Sequence, residues 1–426
     1  MRCVRAYTSP VTAAAPDSPT AITPGRTGSP ASLTAWRNAV FVIFALEGFA
    51  MASWASRIPQ VRDILHATTA EMGLVLGGLA AGAVLGLLAS SHIVTWLGAT
   101  HTIRVLYCVA SIGLLAAGAI AAFAPSLPAL VVVLAVFGAG TSIVDVAMNL
   151  SGAANERAIG RTIMPLFHAS FSLGTVAGAG LGALLLLLDV PIGVHLIGTG
   201  VLAIVVTLIL VRYLRPAEHT GEQDAQHTPS TWRARLAVWK TPRILLIGLI
   251  VLGMAFAEGS ANDWLSLAMV DGHHVDNAAG AAIFGVFVAA MTIARVLGVK
   301  LLGRYGRVPV LRVSAIAAIV GLLLVITVPV IAIAIAGVVL WGFGAALGFP
   351  VGMSAASDDP RTATASVSAV ATIGYCAFLI GPPVIGFLGQ QFGILNGLLI
   401  VLALIAVAGL VSGAARIPRS TQPSGT

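Results

Sequence analysis

The sequence predicts an all-α membrane protein with twelve transmembrane helices arranged as two parallel six-helix bundles. Three observations predict it. Only 9% of the 426 residues are charged and 58% are hydrophobic, against roughly 25% charged in a soluble domain. Twelve apolar runs reach about the 20 residues that cross a bilayer as a helix. The third observation is that the chain reads twice, with a polar interruption between two sets of six runs. The runs are rich in Leu, Val, Ile, Ala and Gly without strand-like alternation, so their backbone groups must be satisfied within helices rather than in a barrel.

In order, the spans are expected at about 37–57, 71–94, 103–123, 129–150, 162–188, 191–211, 244–268, 278–300, 308–328, 330–353, 363–388 and 393–414. Residues 1–35, rich in Pro, Ser, Thr and Ala and lacking the apolar core of a signal peptide, read as a disordered cytoplasmic tail. The first bundle is expected over 36–215, a cytoplasmic linker over 216–241, the second bundle over 242–415 and a short tail over 416–426. Within the linker, Thr231 to Lys240 carries alternating basic and apolar residues suited to a helix lying on the membrane surface.

Orientation follows from the basic residues. With the N-terminus inside, all 23 Lys and Arg except Arg57 and Arg62 are assigned to the cytoplasmic side, which places both termini in the cytoplasm. The net charge of +7 is thereby explained as topology, and no nucleic-acid partner is needed. Cys3, Cys108 and Cys376 are far apart and form neither a disulfide framework nor a zinc spacing. No phosphate-binding glycine loop, nucleophile elbow or metal pair is present, so no enzyme activity is expected. Asp271-Gly-His-His-Val-Asp276 is read as an ordinary external loop, not a metal site. No cofactor is expected, and the partners expected are the lipid bilayer and a small-molecule substrate, bound by a monomer.

The halves carry matching segments. Glu47-Gly-Phe-Ala-Met-Ala-Ser-Trp54 is echoed by Glu258-Gly-Ser-Ala-Asn-Asp-Trp264, one residue shorter. Trp96-Leu-Gly98 with Arg104 matches Arg304-Tyr-Gly306 with Arg312 at a constant offset, and Phe137-Gly-Ala-Gly140 resembles Trp341-Gly-Phe-Gly344. Parallel repeats of this kind, with substrate held near the midplane between them, resemble the major facilitator superfamily over roughly residues 36–415. That family's loop motif survives at Gly98 and Arg104, and more closely at Gly303-Arg-Tyr-Gly-Arg307. Ala52-Ser-Trp-Ala-Ser-Arg-Ile-Pro59, Val144-Asp-Val-Ala-Met-Asn149, Met164 to Gly174 and Gly381-Pro-Pro-Val-Ile-Gly386 are similar to its YbjJ/MosC-like branch, with fucose permease a more distant relative.

Four acids fall at membrane depth: Glu47, Asp145, Glu258 and Asp263. Facing lipid they would cost about 10 kcal/mol together, at about 2.5–3.5 kcal/mol each, so they are expected to face a wet cavity or partners. The resemblance implies that helices one, four and seven, which carry them, line such a cavity, and that carboxylates on helices one and four couple transport to protons. Glu47 and Asp145 are therefore the expected proton-coupling residues. Asn149, which shares a helix face with Asp145, and Asn262, Glu258, Trp54 and Trp264 are expected to line the substrate site. Asp263, His168, Arg157 and Arg161 are weaker candidates for gate or relay roles, with solvated loop charge or packing as the plainer alternative for each. The expected function is proton-coupled movement of a small polar organic solute by alternating access. Efflux of an amphipathic or cationic compound, and a transporter-like sensor, stand as alternatives. In span five, Gly174, Gly178 and Gly182 at four-residue spacing are expected to allow a close helix approach.

Overall fold

The computed structural model describes residues 30–161, 163–215, 237–359 and 362–417. The expectations of a disordered tail and of a surface helix in the linker fall almost entirely outside the described residues. Twelve helices are long and apolar enough to span a membrane: α1 (Ser32–Leu65), α2 (Thr69–Leu97), α3 (Ala99–Phe123), α4 (Leu127–Ile159), α5 (Met164–Leu187), α6 (Ile192–Tyr213), α7 (Pro242–His273), α8 (Asn277–Tyr305), α9 (Arg307–Thr327), α10 (Ile331–Ala356), α11 (Ala365–Phe392) and α12 (Ile394–Ala415). Each expected span falls on its own helix. The largest excess is at the ends of α1 and α4, where the polar residues Gln60–Asp63 and Ser151–Ile159 continue the helix beyond the apolar window.

The repeat is structural. In the first half α1 packs on α5, α2 on α4, α3 on α4 and α3 on α6; in the second, α7 packs on α11, α8 on α10, α9 on α10 and α9 on α12. Gly98 and Gly306, paired by the repeat, both take positive φ (74° and 77°) at the tight turns between α2 and α3 and between α8 and α9, a conformation glycine adopts without a side-chain penalty.

Among the described residues three of the twelve helices are interrupted: α12 at Leu398, and α1 and α10 each ahead of a proline. In α1 the break lies at Ser56–Arg57, ahead of Pro59. In α10 it lies at Ala346–Leu347, ahead of Pro350. A proline cannot donate to the carbonyl four residues earlier, which for Pro350 is that of Ala346. That carbonyl accepts instead from Arg295 Nε of α8, at 3.4 Å. At the α1 break Arg57 is fully buried, its Nε donating to His195 Nδ1 of α6 (3.0 Å) and its Nη1 to Gln60 (2.6 Å). Arg57 is thus a bundle residue rather than a loop charge.

The glycines of α5 behave as their spacing implied. A Cβ on Gly174 would lie 1.8 Å from the Ala45 carbonyl oxygen, and one on Gly178 2.4 Å from that of Phe49, so α5 seats directly against the α1 backbone. A Gly174→Val variant is expected to lose at least the 1–3 kcal/mol typical of overpacking, read as a lowered Tm in detergent. Gly180→Ala, at a position with nothing within 4 Å, is the matched control and is expected to leave Tm unchanged.

Candidate functional site

The two halves meet at one end. Helices α2 and α11 cross through backbone: Gly73 would place a Cβ 3.0 Å from the Pro382 carbonyl oxygen and 3.1 Å from Gly386 Cα. The Gly-Pro-Pro run noted in the sequence is therefore part of the inter-half contact. Helices α5 and α8 approach at Ala179 and Gly285. Polar pairs finish the closure. Arg62 is paired with Asp271, Asn277 Nδ2 donates to Asp63 (3.0 Å), and the Thr69 amide donates to Gln390 Oε1 (3.1 Å). Among the described residues, the hydrogen bonds that cross between the halves all lie at this end, remote from the ends of the chain. The termini-bearing end is held within each half instead: Arg215 bonds Ser32, while Arg243 and Arg307 share Asp358.

Between the halves, opening toward the termini-bearing end, lie the acids. Asp145 is exposed, although about 21 Å of α4 separates it from that helix end at 1.5 Å per residue. It lies within charge-interaction range both of Glu47 on α1 and of Tyr375 on α11, in the other half. Its position therefore faces the gap between the halves. Asn149 is beside it as the i, i+4 spacing predicted, its Nδ2 donating to Asp145 Oδ1 (3.0 Å) and to the Asp145 carbonyl oxygen (2.8 Å).

Glu47 differs. It is 4% exposed, and its Oε2 is buried without a hydrogen-bond partner. No described Lys or Arg pairs with it. Tyr107 of α3, whose hydroxyl is also buried and unpartnered, lies within its electrostatic reach. Glu258, its counterpart in the repeat, forms an ion pair with Arg295 Nη2 at 2.8 Å. Arg295 had been assigned to the cytoplasmic side; the structure corrects this, placing it about 15 Å inside α8 from its Tyr305 end.

The remaining candidates separate. His168 of α5 is exposed, sits edge-on to Phe44 with centroids 5.3 Å apart, and lies within charge range of Arg295 across the gap. Trp54 and Trp264 are buried, to 1% and 0% exposed, so in this conformation neither indole presents a face to the gap. Asn262 and Asp263 are half-buried on α7. Arg157 and Arg161 are exposed at the end of α4, and the acid beside them, Glu156, caps α5 by accepting from the amides of Ile163 (2.6 Å) and Met164 (2.7 Å). Sequence reasoning passed over Tyr107 and the depth of Arg295. A tyrosine in an apolar run has no periodic signature, and Arg295 lay at the blurred edge of a span.

A family model described as Major Facilitator Superfamily matches residues 40–377 and 267–426. The chain belongs to that superfamily. Among curated relatives it is 31% identical over 361 residues to an uncharacterized transporter, y4wD, of Sinorhizobium fredii, covering 84% of this chain and 92% of that one. It is 25% identical over 388 residues to the membrane protein MosC of Rhizobium meliloti, covering 91% of each. Among solved structures, the nucleoside transporter NupG superposes with a TM-score of 0.70 at 17% identity, covering 89% of this chain and 98% of that one. The E. coli fucose:proton symporter FucP superposes with a TM-score of 0.61 at 15% identity, covering 90% and 99%. The protein is accordingly a superfamily transporter, not an enzyme, and its architecture is the superfamily's fold.

Two outcomes follow from this geometry. Asp271→Asn removes one charge from a partly exposed pair, a change of about 1 kcal/mol or about fivefold in conformer ratio. It should raise the reaction rate of a cysteine placed at Ala67, buried near this closure, on a background free of native cysteines. In a double-mutant cycle on Tm, Glu258→Gln and Arg295→Gln should couple favourably, by about 0.5–3 kcal/mol for residues in direct contact.

Proposed function

We propose that this superfamily transporter moves a small polar, sugar-like solute across the bacterial cytoplasmic membrane in exchange for or together with protons. Glu47 carries the proton, and Asp145 with Asn149 contacts the solute. The observation that carries this reading is Glu47 itself, a carboxyl buried at membrane depth with no cation and no partner for Oε2. A proton is the one neutralising species that needs no further residue. Asp145, close enough to feel the charge on Glu47 yet open to the gap, gives that proton a route to water. The structural likeness to a transporter of nucleosides and to a fucose:proton symporter supports a polar, hydroxyl-bearing solute.

The basic residues support an orientation with both termini in the cytoplasm. Removing Arg295 from the loop count leaves the remaining bias on the termini-bearing side. In that orientation the closed end is external and the structure is inward-open. A second reading has one observation in its favour: Asp145 is exposed, with Asn149 its one hydrogen-bond partner among the described residues, which suits direct binding of a cationic solute and its efflux against protons.

Purified protein in proteoliposomes with an internal pH dye tests both readings. Pooled sugars, polyols, nucleosides and cationic compounds are expected to drive proton movement in the wild type and none in Glu47→Gln. Inward proton movement accompanying the solute marks symport, and opposed movement marks antiport. Solute flux without proton movement, unaffected by the substitution, would refute the coupling role of Glu47.

A further inference from the structure

Away from the central gap, the second half carries a crevice of about 340 Å³ between α8 and α9, floored by α10. Its walls are almost wholly apolar. Leu297, Leu301 and Tyr305 of α8 face Val313 of α9, and Phe343 and Leu347 of α10 close the bottom. The α8 wall runs from Ala294 to Tyr305, about 16 Å at 1.5 Å per residue. That matches one leaflet of a hydrocarbon core of about 30 Å. The crevice opens outward, since Leu297, Leu301, Tyr305 and Val313 are all 42% exposed or more.

Its mouth is cationic. The Arg304 guanidinium lies 5.4 Å from the centroid of the Tyr305 ring, which is itself part of the wall. Lys300 sits one turn earlier, and both are exposed. The other basic residues of the α8–α9 turn are engaged: Arg307 by Asp358 at 2.8 Å, and Arg312 by the Ser412 hydroxyl at 3.2 Å. Neither Arg304 nor Lys300 forms an ion pair with a described carboxylate.

We propose that this crevice is a binding site for an anionic phospholipid, one acyl chain lying along α8 and α9 and the phosphate headgroup resting on Arg304 and Lys300. An acyl chain gains little by leaving surrounding lipid for an apolar crevice, because both environments are hydrocarbon. Selectivity must therefore come from the headgroup, and two basic side chains beside an anionic lipid give a preference on the order of tenfold or more. The floor gives the site a consequence. Leu347 begins the second part of α10 at the proline-dependent break, where it packs onto Gly298, and the adjoining Ala346 carbonyl holds Arg295. A chain filling the crevice would support the break that positions the partner of Glu258.

The test reads lipid retention, not transport, so it stands or falls separately from the proposed function. Protein from nanodiscs with equal phosphatidylglycerol and phosphatidylcholine is extracted in mild detergent, and the retained lipid is quantified by mass spectrometry. The wild type should retain phosphatidylglycerol in about tenfold excess. That excess should collapse in the double variant Lys300→Gln/Arg304→Gln, and retention of both lipids should fall in the crevice-filling Ala317→Trp. Equal retention of the two lipids by the wild type, or an excess that survives the double variant, overturns the proposal. A wild-type measurement removes dependence on variant folding: dioctanoyl phosphatidylglycerol should raise Tm, and an equal rise with dioctanoyl phosphatidylcholine also overturns it.

Discussion

A carboxylate at the depth of the bilayer costs about 2.5–3.5 kcal/mol on insertion scales, and three acids of this bundle meet that cost in different ways. Glu258 is paired with Arg295. Asp145 stays open to the gap and takes a hydrogen bond from Asn149. Glu47 is buried with neither cation nor water-exposed surface to speak of, and its Oε2 has no partner. The packing around them serves this arrangement. Glycines of α5 let that helix seat on α1, which closes the protein around Glu47, while α4 keeps its acidic face on the gap.

The same economy explains why the halves meet at one end. Crossing α2 on α11 through Gly73 and Gly386 brings backbone against backbone, and packing of that kind is the main attraction open to helices in lipid. The polar pairs at that end are partly exposed and individually weak. They select a partner surface and a register without making the closure permanent. The helix pairs that form it, α2 with α11 and α5 with α8, are equivalent under exchange of the halves. The repeat thus supplies a closure that is symmetric across the halves but confined to one end of the bundle.

Most of the architecture was legible in the sequence because the bilayer is a severe filter: a span must be apolar for about 20 residues, and composition alone reveals it. The positive-φ glycines 98 and 306 were visible as a repeat before any turn was known. The site was only partly legible. Asp145 and Asn149 followed from helical spacing, whereas the burial of Trp54 and Trp264 depends on tertiary packing, and no single-chain pattern encodes that. Arg295 was misplaced because a cation near the end of an apolar run looks like a loop residue. Its depth becomes apparent only when α8 continues for ten residues beyond it, to Tyr305.

The repeat also shows why Glu47 and Glu258 are not interchangeable. At the offset of 208 that superposes Trp96 on Arg304, the position equivalent to Arg295 (295 − 208 = 87) is Leu87. The first half therefore has the duplicated glutamate without the cation that neutralises its counterpart. Arg57, which is buried in that half, is committed to His195 and Gln60 at the α1 break. In this conformation the ion pair with Arg295 neutralises Glu258 within the second half. A lone carboxyl must be neutralised from solution whenever the gap around it loses water. The proposed coupling role of Glu47 rests on this difference: the first half has Leu87 where the second has the arginine that pairs with Glu258.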